Sequence, residues 1–293
     1  MFNKLCIIGV GLIGGSVACA AREHKLAKQI IGLGRESSCN NLEVAKDLGV
    51  IDEFHFFNTD LTEVLRDVDC LVIATPVGAA KSIFSELKKY WNAGTVYTDG
   101  GSTKTNMVEA IRDVFGYVPE NFVPAHPIAG SEQSGVTAAR ADLFNNKRTI
   151  LTPVAETSEV ALERMREFWQ GLGSHVSLMD INHHDEVLAA TSHLPHVLAY
   201  ALVDMLGKKD QQNEIFKYAA GGFKDFTRIA SSDPTMWLDI CMANRDEIIP
   251  LIYQLNDELS AIADLLKQGD SESLFNTFNE AKIARQRFLA QYQ

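Results

Sequence analysis

The chain has 293 residues, enough for one large domain or two domains of ordinary size. Its formal net charge of −11 argues against a surface for nucleic acid or for an anionic membrane. No apolar run approaches the roughly 20 residues that a membrane-spanning helix needs. The 5 cysteines are odd in number and have no Cys-x-x-Cys spacing. This usage predicts reduced thiols and a cytoplasmic protein.

An apolar strand pattern at residues 5–10 runs directly into a Gly-x-Gly-x-x-Gly motif. A strand, a glycine turn and a helix start, in this order, are typical of a site for a dinucleotide pyrophosphate. Free N–H groups at the helix N-terminus and the helix dipole both attract phosphate. The candidate cofactor-binding residues of this turn are Gly9, Gly11, Leu12, Ile13 and Gly14.

The first part of the chain alternates strand and helix patterns. This alternation predicts an α/β fold with a Rossmann-type, doubly wound and mostly parallel sheet. The predicted strands cover residues 5–10, 29–33, 70–74, 95–98, 122–124, 149–152 and 175–178.

The strand signal ends near residue 180, and helical patterns follow it. We therefore expect a dinucleotide-binding domain at residues 1–180 and an all-helical substrate and dimerisation domain at residues 181–293. The predicted helices cover residues 181–206, 211–229, 234–243, 246–266 and 271–289. Pro195 should disturb the first of them.

One of these helices carries an apolar seam spaced 4, 3, 4, 3, 4. Such spacing is typical of a coiled-coil interface, and it predicts a homodimer. The alternative is that the stripe packs inside its own domain, because the pattern is short. The seam residues are Ile248, Ile252, Leu255, Leu259, Ile262 and Leu266.

The end of the second predicted strand bears on the choice of cofactor. An acidic residue at this point normally binds the adenosine ribose of NAD, but Gly34 and Arg35 stand here. Arg35 and Ser37 offer donors to a 2′-phosphate, which favours NADP over NAD. In the alternative, Arg35 is a solvated loop charge and Glu36 takes the ribose.

Two later strand ends predict further loops that face the cofactor. Ligands of open parallel sheets bind beyond the carboxyl ends of the strands. Thr75 and Pro76 follow one strand, and Gly100 and Ser102 follow the next. Ser102 adds a hydroxyl near the expected nicotinamide, although it is equally suited to start the following helix.

His126 and Arg228 are the main candidates for chemistry outside these loops. His126 is expected just beyond a strand end, where it can abstract a proton during hydride transfer. Arg228 follows a glycine pair and suits bidentate binding of a carboxylate, or else a surface ion pair with an acidic neighbour. The histidines at 183, 184, 193 and 196 show no zinc-binding spacing, so we expect no metal.

These motifs together resemble the prephenate/arogenate (cyclohexadienyl) dehydrogenase family of tyrosine biosynthesis. They cover nearly the whole chain in order, and the three middle motifs, at residues 99–104, 126–132 and 192–196, are far more specific than the glycine turn. The matching segments are the turn at residues 9–14, Asp-Gly-Gly-Ser-Thr-Lys at 99–104, His-Pro-Ile-Ala-Gly-Ser-Glu at 126–132, Ser-His-Leu-Pro-His at 192–196 and Gly-Phe-Lys-Asp-Phe-Thr-Arg at 222–228.

The resemblance implies oxidative decarboxylation of prephenate, of arogenate or of both, with hydride transfer to NADP or NAD. His126 would take the proton of the ring 4-hydroxyl, and Ser102 would orient that hydroxyl. Substrate-binding or pocket-shaping roles would fall to His196, Arg228, Ser131, Glu132, Trp237 and Asp225.

The sequence leaves the substrate open, because prephenate carries a keto group where arogenate carries an ammonium. An acidic side chain near that group would favour arogenate, and Glu132 and Asp185 are the candidates. Two rival classes are weaker. A β-hydroxyacid dehydrogenase needs a catalytic lysine in a glycine-rich helix, whereas Lys208 and Lys224 lie in other contexts. A nicotinamide-sensing regulator would not need His126, Ser102 and Arg228 together.

Overall fold

The computed structural model describes residues 1–210 and 214–290. The chain forms two compact units, residues 1–245 and 246–293. A division of the chain near residue 180 stays a prediction.

The first unit is built on a parallel sheet with the strand order β3-β2-β1-β4-β5-β6. A smaller sheet has the order β7-β8-β9, in which β7 runs antiparallel to β8. The strands are β1 (Phe2–Ile8), β2 (Ala27–Gly34), β3 (Glu53–Phe56), β4 (Cys70–Ile73), β5 (Val96–Asp99), β6 (Phe122–Val123), β7 (Ala125–Pro127), β8 (Arg148–Leu151) and β9 (His175–Leu178).

Helices cover both faces of the large sheet and make up the later part of the chain. They are α1 (Leu12–Glu23), α2 (Cys39–Asp47), α3 (Thr62–Leu65), α4 (Ala80–Leu87), α5 (Thr105–Phe115), α6 (Glu159–Gly171), α7 (Ile181–Leu188), α8 (Leu194–Lys209), α9 (Gly221–Thr227), α10 (Pro234–Ala243), α11 (Arg245–Gln268) and α12 (Ser271–Ala290).

The apolar run of β1 explains why the large sheet is buried on both sides. Successive side chains of a strand point to opposite faces, so Leu5 and Ile7 enter one core while Cys6 and Ile8 enter the other. Helices α1, α2 and α6 close the first core, and α3, α4 and α5 close the second. Continuous apolar strands therefore indicate a doubly wound sheet, and that prediction is confirmed.

Two strands were not predicted from the sequence, β3 and β7. β3 reads Glu-Phe-His-Phe and lies at the edge of the large sheet beside β2. β7 has three residues and ends on a proline. Both segments are short and neither is a continuous apolar run, and each forms a strand by pairing with a longer neighbour.

Helix α7 does not continue as one straight helix, as a pattern over residues 181–206 predicts. A π-helical turn at Ala189–His193 separates it from α8, which has Pro195 in its first turn. The predicted helix at residues 211–229 is wrong for most of its length, and its residues 211–213 lie outside the described residues. From residue 214 onward the structure has α9 and two short 3₁₀ turns in this segment, since the glycine pair at 221–222 disfavours a longer helix.

The second unit consists of α11 and α12. Of the predicted seam, Ile248 is buried, whereas the side chains of Ile252, Leu259 and Leu266 are 37%, 55% and 62% exposed. Three of the six seam residues are thus exposed, while Leu255 and Ile262 are partly buried. Across residues 1–210 and 214–290, no helix combines the length and the apolar character needed to traverse a lipid bilayer.

Candidate active site

The glycine turn lies at the carboxyl end of β1, where the chain enters α1. Gly9 has a φ of +86°, and a Cβ there would stand 2.7 Å from the carbonyl oxygen of Ala74. A Cβ on Gly14 would clash with the carbonyl of Gly9. Gly11 has open space on its Cβ side. The turn therefore packs tightly against β4 and leaves room beside Gly11 and the N-terminus of α1 for a pyrophosphate.

A cavity of about 270 Å³ lies beyond the end of β2. Arg35 and Glu36 both line it, together with Ser82 on α4. The guanidinium of Arg35 donates a hydrogen bond of 3.1 Å to the Ser82 hydroxyl. The cavity thus contains one cation, Arg35, and two carboxylates, Glu36 and Glu86, while the exposed Ser37 does not line it.

Asp99, at the end of β5, ties the large sheet to the segment that carries His126. Its buried carboxylate accepts hydrogen bonds from the backbone N–H of Gly101 at 2.8 Å and of Ala125 at 3.1 Å. It also pairs with the fully buried Lys104, whose ammonium donates to the carbonyl of Ala125 at 2.6 Å. A buried ion pair of this kind fixes the position of β7 relative to the loop after β5.

His126 follows the end of β6, as predicted, but it lies within a further short strand, β7, that was not predicted. β7 has three residues, too few to show the alternation of apolar and polar side chains that indicates a strand, so the sequence did not predict it. The side chain of His126 is 8% exposed. Burial lowers the pKa of His126 well below its usual value of 6.5, and the positive charge of Lys104 lowers it further. His126 is therefore a neutral imidazole at pH 7, as a general base must be.

The imidazole of His126 contacts the first turns of α7. Its Nδ1 lies 2.9 Å from Nε2 of His184, and Nδ1 of His184 lies 2.8 Å from the carboxylate of Asp185. That carboxylate also accepts the backbone N–H groups of Lys104 at 2.9 Å and of Thr105 at 2.8 Å. Asp185 therefore caps α5 and is not free to bind the amino group of a substrate.

From Asp185 the contacts continue to the π-helical turn. The amide nitrogen of Asn244 donates to the carbonyl oxygen of Asp185 at 2.8 Å and lies 3.0 Å from Nδ1 of His193. His193 is fully buried. Burial is the main reason that its pKa falls from 6.5 to about 4.

His193 and His196 both contact Trp237 on α10. The ring centroids of His193 and Trp237 are 6.2 Å apart, and the ring of His196 stacks on Trp237 at 3.6 Å. His196 Nδ1 lies 2.9 Å from the carbonyl oxygen of Ser192 and must donate to it, which leaves Nε2 as a hydrogen-bond acceptor when the ring is neutral. Burial lowers the pKa of His196, and the nearby positive charge of Arg228 acts in the same direction.

Arg228 is paired with Glu132, at a nitrogen–oxygen distance of 2.9 Å. The two side chains are 59% and 38% exposed, so this is an accessible ion pair and not a buried bidentate one. A substrate carboxylate that binds Arg228 has to replace Glu132 or share the guanidinium with it.

Comparisons with known proteins identify the family. The family model of the prephenate dehydrogenase nucleotide-binding domain matches residues 17–178, and that of the prephenate dehydrogenase dimerization domain matches residues 180–280. The chain belongs to the prephenate dehydrogenase family. As a member of it, the protein is a dehydrogenase with a nucleotide-binding domain.

Named relatives cover nearly the whole chain. It is 32% identical to cyclohexadienyl dehydrogenase of Zymomonas mobilis, over 97% of this chain and 96% of that protein. It is 36% identical to prephenate dehydrogenase of Bacillus subtilis, over 97% of this chain and 76% of that protein. The crystal structure of Aquifex aeolicus prephenate dehydrogenase with hydroxyphenyl propionate and NAD+ superposes with a TM-score of 0.89. It shares 34% identity and covers 98% of this chain and 99% of that one.

The remaining candidate residues of this prephenate dehydrogenase family member are more dispersed. Ser102 is half-buried in the loop between β5 and α5. Ser131 is exposed, and its hydroxyl accepts the N–H of Gln133 in its own turn. Asp225 is exposed on α9, and Thr75, Pro76 and Gly100 lie at the ends of β4 and β5. The fold thus brings the loop residues to one edge of the sheet.

Sequence reasoning missed four polar residues that hold the site together: Asp99, Lys104, His184 and Asn244. Asp99 and Lys104 belong to the Asp-Gly-Gly-Ser-Thr-Lys motif. An acid and a lysine five residues apart could have been predicted to form an ion pair, but only their burial shows that the pair holds the site together. His184 was considered only as a metal ligand. Within residues 1–210 and 214–290, no group of three or more His, Cys, Asp or Glu side chains is placed to hold a metal ion.

Proposed function

We propose that this chain oxidatively decarboxylates prephenate to 4-hydroxyphenylpyruvate with hydride transfer to NAD(P), in tyrosine biosynthesis. The observation that carries the proposal is a buried, neutral His126 whose strand is bonded through Asp99 to the loop after β5. The A. aeolicus relative was crystallised with NAD+ and hydroxyphenyl propionate, a phenol with a carboxylate-bearing chain like that of the product.

In the proposed reaction His126 accepts the proton of the 4-hydroxyl while that oxygen forms a double bond to carbon 4. The cofactor, when bound, supplies the acceptor for the hydride that leaves carbon 4. The bond from the ring to its carboxylate then breaks, CO₂ departs, and the electron pair restores the aromatic ring as a phenolate that takes up a proton. The protein's tasks are positioning and proton transfer, because aromaticity drives the decarboxylation.

Substrate binding in this proposal depends on Arg228, because prephenate is a dianion and the protein carries a net charge of −11. His196 and Trp237 form a stacked wall beside the guanidinium, and Glu132 holds it until substrate arrives. Ser131 and Asp225 are proposed to line the entrance, since both are exposed. Ser102 is proposed to orient the 4-hydroxyl.

Initial rates test the reaction directly. Prephenate and arogenate are each offered with NAD+ and with NADP+, and both cofactor reduction and CO₂ release are followed. Reduction of cofactor matched by an equal amount of CO₂ supports the proposal. Turnover of neither substrate with either cofactor excludes it.

We propose further that the cavity beyond β2 decides between the two cofactors. Arg35 offers a charged donor to the 2′-phosphate of NADP+, which favours that cofactor. Glu36 lines the same cavity and suits the free ribose hydroxyls of NAD+. Arg35 therefore favours NADP+, whereas Glu36 favours NAD+.

Paired variants separate these two effects. Arg35→Ala should raise the KM for NADP+ about tenfold or more and leave that for NAD+ within about twofold, because a charge-assisted hydrogen bond is lost with only one cofactor. Glu36→Gln should weaken NAD+ more than NADP+. Equal effects of Arg35→Ala on both cofactors would make Arg35 a bystander.

Arogenate is a second candidate substrate, on one observation. His196 donates its Nδ1 proton to Ser192, so the neutral ring offers an acceptor, which suits the ammonium of arogenate better than the keto oxygen of prephenate. His196→Asn should then reduce kcat/KM for arogenate more than for prephenate. The opposite ranking would favour a protonated His196 that donates to prephenate.

We also propose a homodimer formed through the helical part of the chain. Residues 180–280 match a dimerization domain, and the seam from Ile252 to Leu266 is largely exposed in the single chain. Exposed apolar side chains in such a row are typical of an interface that a second copy covers.

A further inference from the structure

His184 contacts His126, and Asp185 contacts His184. Neither residue has a role in the proposed reaction so far. Nδ1 of His126 lies 2.9 Å from Nε2 of His184, and Nδ1 of His184 lies 2.8 Å from the carboxylate of Asp185. All three side chains are buried, with 8%, 0% and 3% exposure. The base thus stands at the end of a short hydrogen-bonded series shielded from water.

Asp185 is the fixed end of this series. Its carboxylate accepts the backbone N–H groups of Lys104 and Thr105, at the N-terminus of the 11-residue helix α5. Burial alone would raise the pKa of Asp185, but the hydrogen bonds from His184, Thr105 and Lys104 outweigh burial and lower it. The group is therefore an ionised carboxylate, which can only accept hydrogen bonds.

The direction of each hydrogen bond follows from that charge. Because Asp185 only accepts, Nδ1 of His184 carries a proton and donates it. Burial lowers the pKa of His184, so the ring is neutral and its Nε2 is a lone-pair acceptor. His126 must then donate to it through Nδ1, and the second nitrogen of His126 has no proton.

We infer that His184 and Asp185 are positioning residues that hold the proton of neutral His126 on Nδ1 and thereby reserve the Nε2 lone pair for the substrate hydroxyl. This inference rests on the proposed function for what Nε2 does, but not for which nitrogen carries the proton. A free imidazole exchanges between its two tautomers, and only one of them can act as the base through Nε2.

The same series supports the charged state that follows proton transfer. When Nε2 accepts the hydroxyl proton, His126 becomes an imidazolium, and its Nδ1–H still donates to His184. His184 in turn donates to the anionic Asp185, so the new positive charge is two hydrogen bonds from a fixed negative one. In serine proteases an aspartate holds the catalytic histidine in the correct tautomer in a similar way, and its loss costs about 10⁴-fold in kcat.

The tautomer of His126 can be measured without any turnover. Two-bond ¹H–¹⁵N correlation spectra are recorded on the full-length protein labelled with ¹⁵N at histidine, and the His126→Asn spectrum assigns the signals of His126. We expect the wild type to carry the proton on Nδ1 and the His184→Leu variant to lose that preference. A proton on Nε2 in the wild type, or an unchanged tautomer in His184→Leu, would overturn the inference.

Kinetics supply the second measurement, with a matched control on the same helix. His184→Leu should lower kcat about 100-fold and change KM for prephenate and for the cofactor by less than about twofold. His184→Gln retains a carbonyl acceptor for Nδ1 of His126 and should recover most of the activity. The control is His183→Leu, which replaces the neighbouring histidine, an exposed side chain that pairs with Glu186. It should retain wild-type kcat.

The outcomes separate this inference from the proposed function. If the wild type turns over neither prephenate nor arogenate, the proposed function fails while the tautomer measurement still tests the series. If kcat of His183→Leu falls as far as that of His184→Leu, the effect comes from disturbance of α7 and the inference is wrong. The same conclusion follows if kcat of His184→Gln is as low as that of His184→Leu. Where His184→Leu fails to fold, the wild-type tautomer and His184→Gln decide.

Discussion

At the scale of single residues, a series of contacts runs from His126, the proposed base, towards Arg228, the proposed anion-binding residue. His126 begins it through His184, and the ring stack of His196 on Trp237 leads towards Arg228. His126 is 8% exposed and the side chain of Arg228 is 59% exposed, so the proposed base is shielded from water while the arginine is accessible. A dry base stays neutral, and a reachable cation can exchange Glu132 for a substrate carboxylate.

The first prediction concerns His126. His126→Asn should lower kcat by about 10²- to 10⁴-fold, because asparagine keeps a hydrogen bond but cannot accept the proton. Cofactor binding, followed by titration calorimetry, should persist. His175→Asn is the control, since that histidine is exposed on β9 of the same small sheet. An unchanged rate in His126→Asn would remove His126 from the mechanism.

The second prediction concerns Arg228. Arg228→Ala should raise KM for prephenate about 10- to 100-fold and affect kcat less, because the contact with the carboxylate exists in both the ground state and the transition state. Arg112→Ala removes a similarly exposed arginine paired with Glu156 and should leave KM unchanged. A collapse of kcat with unchanged KM would mean that Arg228 acts on the decarboxylation step instead.

At the scale of elements, the π-helical turn between α7 and α8 places the histidines of the site. The extra residue of such a turn re-aims the side chains that follow, and Pro195 marks its end because it lacks the N–H of a regular helix. One result is that His193 points inward, fully buried against Asn244 and Trp237.

The burial of His193 predicts a loss of stability in acid. Its pKa is about 4 in the folded chain, below the 6.5 of an exposed histidine, so the unfolded chain binds the proton more readily between these values. The free energy of unfolding should therefore fall as pH drops from 6.5 towards 4, by about 3 kcal/mol from this group. Urea unfolding at pH 7, 5.5 and 4.5 measures it.

The matched variant for this effect is His193→Gln, which does not titrate. The difference in unfolding free energy between wild type and variant should shrink as pH falls from 6.5 towards 4. His175→Gln, at an exposed site, should follow the wild type at every pH. A constant difference between wild type and His193→Gln would mean that His193 does not lose its neutral, buried state in this range.

At the scale of the whole molecule, the two units differ in how they bury apolar surface. The first unit encloses two large cores on either face of its parallel sheet. In α12 of the second unit, no residue is buried among those the structure describes, and Phe275 and Phe278 are 67% and 57% exposed. Exposed apolar side chains that lie close together, as these do along α12, usually mark a surface for association with another molecule.

The prediction at this scale is a dimer that depends on the seam. Replacing Leu255 and Leu259 together with lysine should give monomer or aggregate by light scattering, because two charges enter an apolar interface. Asn256→Lys with Ser260→Lys adds the same charge at exposed positions of α11 with the same spacing. That control should stay dimeric. If the variant with lysine at both leucine positions stays dimeric, the seam is not the dimer interface.

The sequence by itself determined the features that depend on local pattern. The glycine turn, the apolar strands of the parallel sheet and the helices α10, α11 and α12 follow from spacing that a few neighbouring residues set. His126 and Arg228 could likewise be selected as candidates for the base and for carboxylate binding, because both stand in short motifs, and these roles stay predictions.

Only the tertiary structure decided what surrounds those groups. His126 and His184 are 58 positions apart in the sequence, and no local pattern predicts that Nδ1 of one lies 2.9 Å from Nε2 of the other. β7 exists because β8 pairs with it, and the pairing of Arg228 with Glu132 joins segments 96 positions apart. Burial and long-range hydrogen bonds set the tautomer and the charge of a side chain, and both arise only when distant segments pack together.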